Sequence, residues 1–265
     1  MKYCFCVVPV APMRKEPSHR SEMISQLLFG EYAEQLEEEK EFVKVKCLFD
    51  GYEGWCARNQ LLHVNDVQTT THFILYYTDE VLLEGSGSMF IPFGAPVYPE
   101  PEGADWFTVG SQNMKYITSA LWETEAAAFI PRMIKAAYST YLQAPYLWGG
   151  KSVFGTDCSG FVQQVFKLFG VPLLRDAYLQ ATQGEAVADL EEAMMGDVVF
   201  FHNDQGRVIH VGILLEGKEM VHASGKVRID RIDEKGIHNQ ETGEQTHHLH
   251  SIRRFKKLEE DQRLY

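Results

Sequence analysis

The chain has no block of lysines and arginines: 25 Lys and Arg stand against 37 Asp and Glu, a formal charge of -12. Nucleic acid and anionic membrane surfaces both demand concentrated positive charge, so neither is an expected partner. No stretch approaches the roughly 20 apolar residues that a membrane-crossing helix needs. The start, "MKYCFCVVPVAPMRKEPS", carries a short apolar run interrupted by Pro9 and Pro12. It reads as an edge strand leading into a turn and not as a secretion signal, so the cytoplasm is the expected compartment. Cysteine is scarce: there are five, an odd number with no C-x-x-C pair. Cys4, Cys6, Cys47 and Cys56 sit in strand-like apolar surroundings, where small buried thiols are expected in place of disulfides or metal ligands. The histidine-rich stretch "HNQETGEQTHHLH" (His238, His247, His248, His250) has neither a Cys nor a patterned carboxylate to complete a ligand set. It reads as a polar loop running into a final strand, and no metal is expected.

What is present is enough apolar residue, 45% of the chain, to build real cores in 265 residues. Residues 1–65 alternate short apolar runs with turn residues, as in "YCFCVVPV", "SQLLFGEYAEQLEE" and "EFVKVKCLFDGYEGWCARNQLLHV". This is the pattern of a small antiparallel barrel. Residues 66–124 repeat it more loosely in "HFILYYT", "EVLLEGSGSMFIPFG", "DWFTVG" and "KYIT", and read as a second barrel. Trp55 and Trp106 are expected to fill the barrel cores. From 125 to 265 the composition shifts. "TEAAAFIPRMIKAAYSTYLQAPY" has helical spacing, with Thr124 as its N-cap and Pro145 closing it. "CSGFVQQVFKLF" places Phe161, Val162, Val165, Phe166 and Phe169 on one side of a second, amphipathic helix that Gly170 and Pro172 end. Strand-length runs follow, so the third domain is α+β.

Cys158 differs from the other cysteines because it opens that second helix. Unpaired N–H groups and the macrodipole favour a thiolate there, and Gly160 leaves clearance in the first turn. A thiolate nucleophile needs a base, and the base needs an orienting group. His210 in "RVIHVGILL" and His222 in "MVHASG" lie on strands joined by a turn at Glu216 to Lys218. Both stand six positions from a hairpin centre at about 216, so they share a face. A single strand histidine is usually a packing residue. The pair together with the helix-start cysteine points to Cys/His/His nucleophilic catalysis.

"YLWGG", "DCSGFVQQVF", "GDVVFF", "HVGILL" and "VHASG", in that order, resemble the NlpC-type cell-wall cysteine peptidases, a compact branch of the papain-like fold. The resemblance covers about residues 130 to 255. It implies a papain-like α+β peptidase domain with Cys158 as nucleophile, His210 as general base and His222 as its orienting partner. The implied reaction is hydrolysis of the γ-D-glutamyl to diamino-acid amide of murein peptides, without cofactor. "SEMISQLLFGEYAEQL" and "DGYEGW" extend the likeness to the bacterial SH3-like barrels of members that act on L-Ala-γ-D-Glu-diamino-acid peptides with a free N-terminus. Carried over residue by residue, it implies that Glu22, Tyr52 and Asp157 hold the substrate ammonium. It further implies that Tyr146 lines the oxyanion side and that Ser159, Arg175 and Asp176 contact substrate. Family members often have Ser after that Arg-Asp, and Ala177 here removes one polar contact. Trp148 is expected to support the cleft beside Tyr146.

The leading expectation is thus a monomeric, cytosolic peptidase that releases L-Ala-γ-D-Glu during peptidoglycan recycling. An exported endopeptidase on intact peptidoglycan and a wall-fragment binding protein with a vestigial site are the rivals.

Overall fold

The computed structural model describes residues 2–74, 79–98, 106–118, 121–124 and 128–257. The end of "HFILYYT" and much of the stretch before Trp106 therefore lie outside the described residues. The chain forms two compact units: residues 1–126 with 148–154, and residues 127–147 with 155–265. The short segment Trp148–Phe154 thus groups with the first unit although the chain on either side of it belongs to the second.

In the first unit, β1 (Tyr3–Cys6), β2 (Val10–Arg14), β3 (Met23–Leu28), β4 (Tyr32–Glu39), β5 (Phe42–Cys47), β6 (Glu53–Ala57) and β7 (Leu61–Val64) make one sheet in the order β3-β2-β6-β5-β4-β1-β7. The expected edge strand at the N-terminus is instead an inner one. β1 pairs with both β4 and β7, and the chain bends after Cys6 into a separate β2. Cys4, Cys6, Cys47 and Cys56 are buried among Ala11, Leu27, Val43 and Val45, and all are free thiols. Burial pushes the Cys4 thiol up to about 11 and Cys6 up to about 12, so these sulfurs are inert packing groups. The exposed acidic end of β4 and the turn at Lys40 form a solvated hairpin tip.

The second half of this unit contains β8 (His72–Ile74), β9 (Glu80–Leu83), β10 (Gly87–Phe90), β11 (Pro96–Val97), β12 (Phe107–Val109), β13 (Gln112–Ile117) and β14 (Leu121–Glu123). They form a four-stranded sheet, β10-β9-β13-β12, and a three-stranded one, β11-β8-β14. One apolar core joins both halves: Phe5, Phe29 and Tyr32 pack with Ile74, Val81, Ile91, Phe107 and Met114. Tyr98 seals it by donating its hydroxyl to the Gly30 carbonyl at 2.9 Å. The expected tryptophan packing needs correction. Trp106 is 38% exposed and Trp55 only half-buried, while Trp122 is the buried one. The short β15 (Lys151–Ser152) lies in the segment that groups with this unit.

In the second unit, α1 is Pro131–Ser139 and not a helix capped by Thr124. Proline is suited to the first helical position, and it keeps the residue before it extended, which is where Ile130 sits (φ -122°, ψ 157°). After β16 (Gly155–Thr156) comes α2 (Cys158–Lys167), and Gly170 turns the chain out of it at φ +73°. An amphipathic helix is expected here, yet every residue of α2 is buried. Gln163 on its polar side donates Nε2 to the Leu173 carbonyl of the following loop at 3.0 Å. Aromatic contacts, Phe129 with Phe166 and Tyr141 with Phe161, hold α2 against its neighbours.

α3 (Ala177–Gln180) and β17 (Glu185–Val187) lead into β18 (Val198–His202), β19 (Val208–Leu214), β20 (Glu219–Ser224), β21 (Lys226–Asp233), β22 (Gly236–His238) and β23 (Gln245–Arg254). Each pairs antiparallel with the next, and β23 also pairs with β18, so the six strands close on themselves. The helices and then an antiparallel sheet are the expected α+β arrangement. α2 packs across β19 and β20, which brings its first turn to the histidine strands.

Candidate active site

Cys158 is the first residue of α2 and is 7% exposed. Asp157 is the N-cap: its extended backbone (φ -92°, ψ 178°) aims the carboxylate back at the helix, where Oδ1 accepts from the Gly160 N–H at 2.7 Å. The backbone N–H groups of Ser159 and Val211 point to the sulfur and favour its thiolate, as the helix start promises. They do not win. Burial first, and the neighbouring Asp157 charge second, push the thiol up to about 12. The expected low thiol pKa is therefore corrected: at rest this sulfur keeps its proton.

The base must then take that proton directly. His210, on β19, is 5% exposed, and Val211, whose N–H faces the sulfur, is the next residue. Burial, His222 and His247 hold His210 well below the ordinary imidazole range, so the ring is neutral and able to accept. Its Nε2 lies 2.7 Å from Nδ1 of His222 on β20. The two histidines share a face as expected, but they are not direct cross-strand partners. His222 pairs with Gly212, because the hairpin turns one residue later than the sequence spacing proposes. Gly212 has no side chain to separate the rings. A Cβ there would lie 2.9 Å from the His222 Cβ and 2.8 Å from the Val221 carbonyl oxygen. The diagonal contact depends on that glycine.

Two further residues complete this cluster. Asp230 of β21, 2% exposed, holds His222 through Oδ2 at 2.9 Å from Nε2. His247 of β23 stacks on His210 with ring centroids 4.2 Å apart. Sequence reading passes over Asp230 and takes His247 only as part of a polar loop running into the final strand, whereas it lies on β23. A signal exists for Asp230, since it shares strand parity with buried Ile232 and an inward carboxylate needs a partner. His247 gives no such signal, because its inward turn depends on how β23 pairs.

The other candidate residues fall into two groups. In the second unit, Arg175 is 1% exposed and forms a two-pronged pair with Asp157, at 2.9 Å to Oδ1 and 2.7 Å to Oδ2, and also donates to Ser159 Oγ at 3.0 Å. The guanidinium expected on the substrate is thus an internal clamp, and it already matches the Asp157 charge. Asp176 precedes α3, where its carbonyl accepts from Leu179 and Gln180. Ala177 is the first residue of α3 and buried. Tyr146 is 36% exposed, and burial, then Cys158, then Asp157 hold its phenol above its ordinary pKa, so it stays a donor. In the first unit, Glu22 is exposed and accepts from the Trp148 indole N–H at 2.8 Å. Tyr52 is half-buried and its carbonyl accepts from Cys47 N–H. Trp148, expected beside Tyr146, is 62% exposed and tied to Glu22.

The segment around Trp148 is firmly held within the first unit. Gly149, at φ +76°, sits so close to Met23 that a Cβ would fall 2.4 Å from its carbonyl oxygen. Lys151, with no exposure, pairs with Glu31 at 2.9 Å, and its N–H donates to Gln26. Burial opposes the ammonium, but Glu31 outweighs it and the pKa stays above the ordinary lysine value. Among the described residues no group of three or more His, Cys, Asp and Glu is placed to hold a metal ion.

A buried cysteine at a helix start, packed against the strand of a neutral imidazole that a second imidazole orients, is the arrangement of a cysteine peptidase. Residues 143–246 match the NlpC/P60 family, and residues 13–61 match the bacterial dipeptidyl-peptidase Sh3 domain. The chain is a cysteine peptidase in which an NlpC/P60 domain of papain-like fold follows an SH3-like domain. It is 29% identical to a gamma-D-glutamyl-L-lysine dipeptidyl-peptidase of Bacillus subtilis (strain 168) over 75% of this chain and 71% of that protein. It is 26% identical to a dipeptidyl-peptidase 6 of Lysinibacillus sphaericus over 86% and 91% of the two chains. The crystal structure of an NlpC/P60 family protein from Bacillus cereus ATCC 10987 shares the fold, with a TM-score of 0.75 at 22% identity over 95% of this chain and 99% of that one.

Proposed function

We propose that the enzyme hydrolyses the bond between γ-D-Glu and the diamino acid of murein peptides that begin with a free L-Ala, releasing L-Ala-γ-D-Glu. The observation that carries the chemistry is the His210–His222 contact at 2.7 Å on the strands that α2 packs against, with the N–H of Val211, the residue after His210, facing the buried Cys158 thiol. As Sγ attacks the amide carbonyl, its proton passes to His210, and the oxyanion meets the Tyr146 hydroxyl and the N–H groups at the start of α2. His210 returns the proton to the leaving amine as the C–N bond breaks, leaving a thioester on Cys158. Water, deprotonated by His210, then splits the thioester to a carboxylate and restores the thiol.

The substrate class rests on the names of the two relatives matched over most of their length and on the barrel residues. Glu22 and Tyr52 read the substrate ammonium in this proposal. Asp157, already clamped by Arg175, supports the nucleophile and takes at most a shared part. A second SH3-like barrel in residues 66–124 belongs to the same proposal, supported by the four- and three-stranded sheets found there. So do a monomeric state, a cytosolic place and a role in recycling.

Mass spectrometry of L-Ala-γ-D-Glu-L-Lys and its meso-diaminopimelate counterpart after incubation tests the reading. Release of L-Ala-γ-D-Glu, lost in Cys158→Ala and strongly reduced for the N-acetylated peptide, is expected. Equal cleavage of the acetylated peptide would move the enzyme to the endopeptidase reading, and binding without cleavage to the binding-protein one. Cell fractionation and light scattering check compartment and mass.

A further inference from the structure

The site does not end at His222. Asp230 is buried on β21 with each oxygen assigned: Oδ2 faces His222 Nε2 at 2.9 Å, while Oδ1 accepts from Arg228 at 2.9 Å and from the Gln240 backbone N–H at 2.9 Å. Arg228 is in turn held by Glu241 at 3.2 Å and Asn239 at 2.9 Å. A carboxylate can only accept, and Asp230 lies below its ordinary pKa, where the bonds from His222, Gln240 and Arg228 outweigh the cost of burial. The nitrogen facing it must therefore carry the hydrogen. A His222 ring whose single hydrogen sits on Nε2 offers Nδ1 as a lone pair. His210 Nε2, 2.7 Å away, must then be the donor. That leaves the lone pair of His210 on Nδ1, the nitrogen not used in the histidine contact and the one a proton acceptor needs.

We infer that Asp230 is a positioning residue that sets the tautomers of His222 and then His210, extending the Cys158–His210–His222 set to a four-membered relay ending in Asp230. The inference rests on the cysteine-peptidase reading of the site but not on any substrate. The other groups facing the relay do not compete for these atoms. His247 stacks on the His210 face, Phe201 approaches it at 5.9 Å between centroids, and Arg228 occupies the far oxygen of Asp230.

Asp230→Asn is the informative change, because the donors Arg228 and Gln240 N–H fix its carbonyl oxygen in the Oδ1 place and turn the NH2 group toward His222. His222 must then accept on Nε2 and donate from Nδ1, and His210 is forced to carry its hydrogen on Nδ1, where the base is needed. In serine peptidases the corresponding Asp→Asn change costs about 10⁴-fold. One ring further away, a loss of about 10²–10³-fold in kcat/KM and in Cys158 alkylation by iodoacetamide at neutral pH is expected, with Asp230→Glu recovering part of it.

Nitrogen-15 NMR of the wild-type protein reads the tautomers directly and needs no variant to fold. Nε2–H on both His210 and His222 is expected, with both moving to Nδ1–H in Asp230→Asn. The opposite tautomers in the wild type, or a folded Asp230→Asn with wild-type alkylation and turnover, would overturn the inference. Alkylation and tautomers that behave as stated in an enzyme inactive on murein peptides would uphold the relay and reject only the substrate.

Discussion

The buried ion pair of Lys151 and Glu31 makes a stability prediction whose size follows from its surroundings. Lys151 has no exposed side-chain surface, Glu31 has 4%, and Glu31 Oε2 also accepts from the Leu28 N–H at 2.9 Å. Glu31→Gln leaves an ammonium in the first unit with its main counter-charge gone, a change that typically costs about 3–5 kcal/mol. An upper bound comes from the lysine itself. At pH 7 it can escape by losing its proton, at a cost of about 4.6 kcal/mol from its ordinary pKa. For a unit of about 130 residues each kcal/mol moves the midpoint by roughly 3–4 °C, so a fall of about 10–17 °C is expected.

The escape route also fixes a sign. If the folded variant holds Lys151 neutral while the unfolded chain binds a proton, stability must rise with pH, by up to about 1.4 kcal/mol per unit between pH 7 and 9. Lys151→Met leaves a carboxylate that keeps its Leu28 hydrogen bond, so it costs less. The double variant recovers most of the loss, with a coupling energy of about 2–4 kcal/mol. Calorimetry of the four proteins at pH 7 and pH 9 measures all of this. Loss below 1 kcal/mol in Glu31→Gln, or no recovery in the double variant, would refute the reasoning.

Three further outcomes are expected. Burial and the neighbouring imidazoles hold His210 far below its ordinary pKa, and burial with His222 brings His247 down to about 4. The folded state then binds fewer protons than the unfolded chain, so stability is full above about pH 6.5 and falls as pH drops toward 4. Melting scans across that window should show the fall, made shallower by His247→Gln; a flat or rising midpoint on acidification contradicts it. Gly212→Ala, whose methyl would press on the Val221 carbonyl and His222, should lower kcat/KM at least tenfold by displacing the orienting ring. Wild-type kinetics would show that the glycine is dispensable. Arg175→Met strands the buried Asp157 carboxylate and should cost about 3–5 kcal/mol of stability while slowing peptides with free and blocked amines alike; a loss confined to free-amine peptides would make Arg175 a substrate contact instead.

Much of the site is legible in the sequence because it is local. The helix-start cysteine and the two histidines on one hairpin face follow from spacing along a few elements, whereas the Asp157 cap is seen only in the fold. What escapes is set by pairing between distant strands and by burial. The one-residue shift of the β19–β20 turn makes His222 a diagonal neighbour. The approach of β21 and β23 supplies Asp230 and His247. Burial of the first turn of α2 reverses the expected thiol pKa. Arg175 reads as a substrate ligand because the family resemblance places it there, yet its length and burial carry it back to Asp157. In the first unit, only the fold turns Lys151 of "WGGKS" inward to Glu31.

The central claim is that Cys158 attacks with His210 as its base and carries the acyl group as a thioester. Rapid acid quenching of wild type with L-Ala-γ-D-Glu-L-Lys, followed by intact-protein mass spectrometry and peptide mapping, measures that species directly. A mass gain equal to the L-Ala-γ-D-Glu acyl group, located on Cys158, removed by hydroxylamine and absent in Cys158→Ala and His210→Ala, is the expected result. Turnover of the peptide by Cys158→Ala at the wild-type rate would contradict the account.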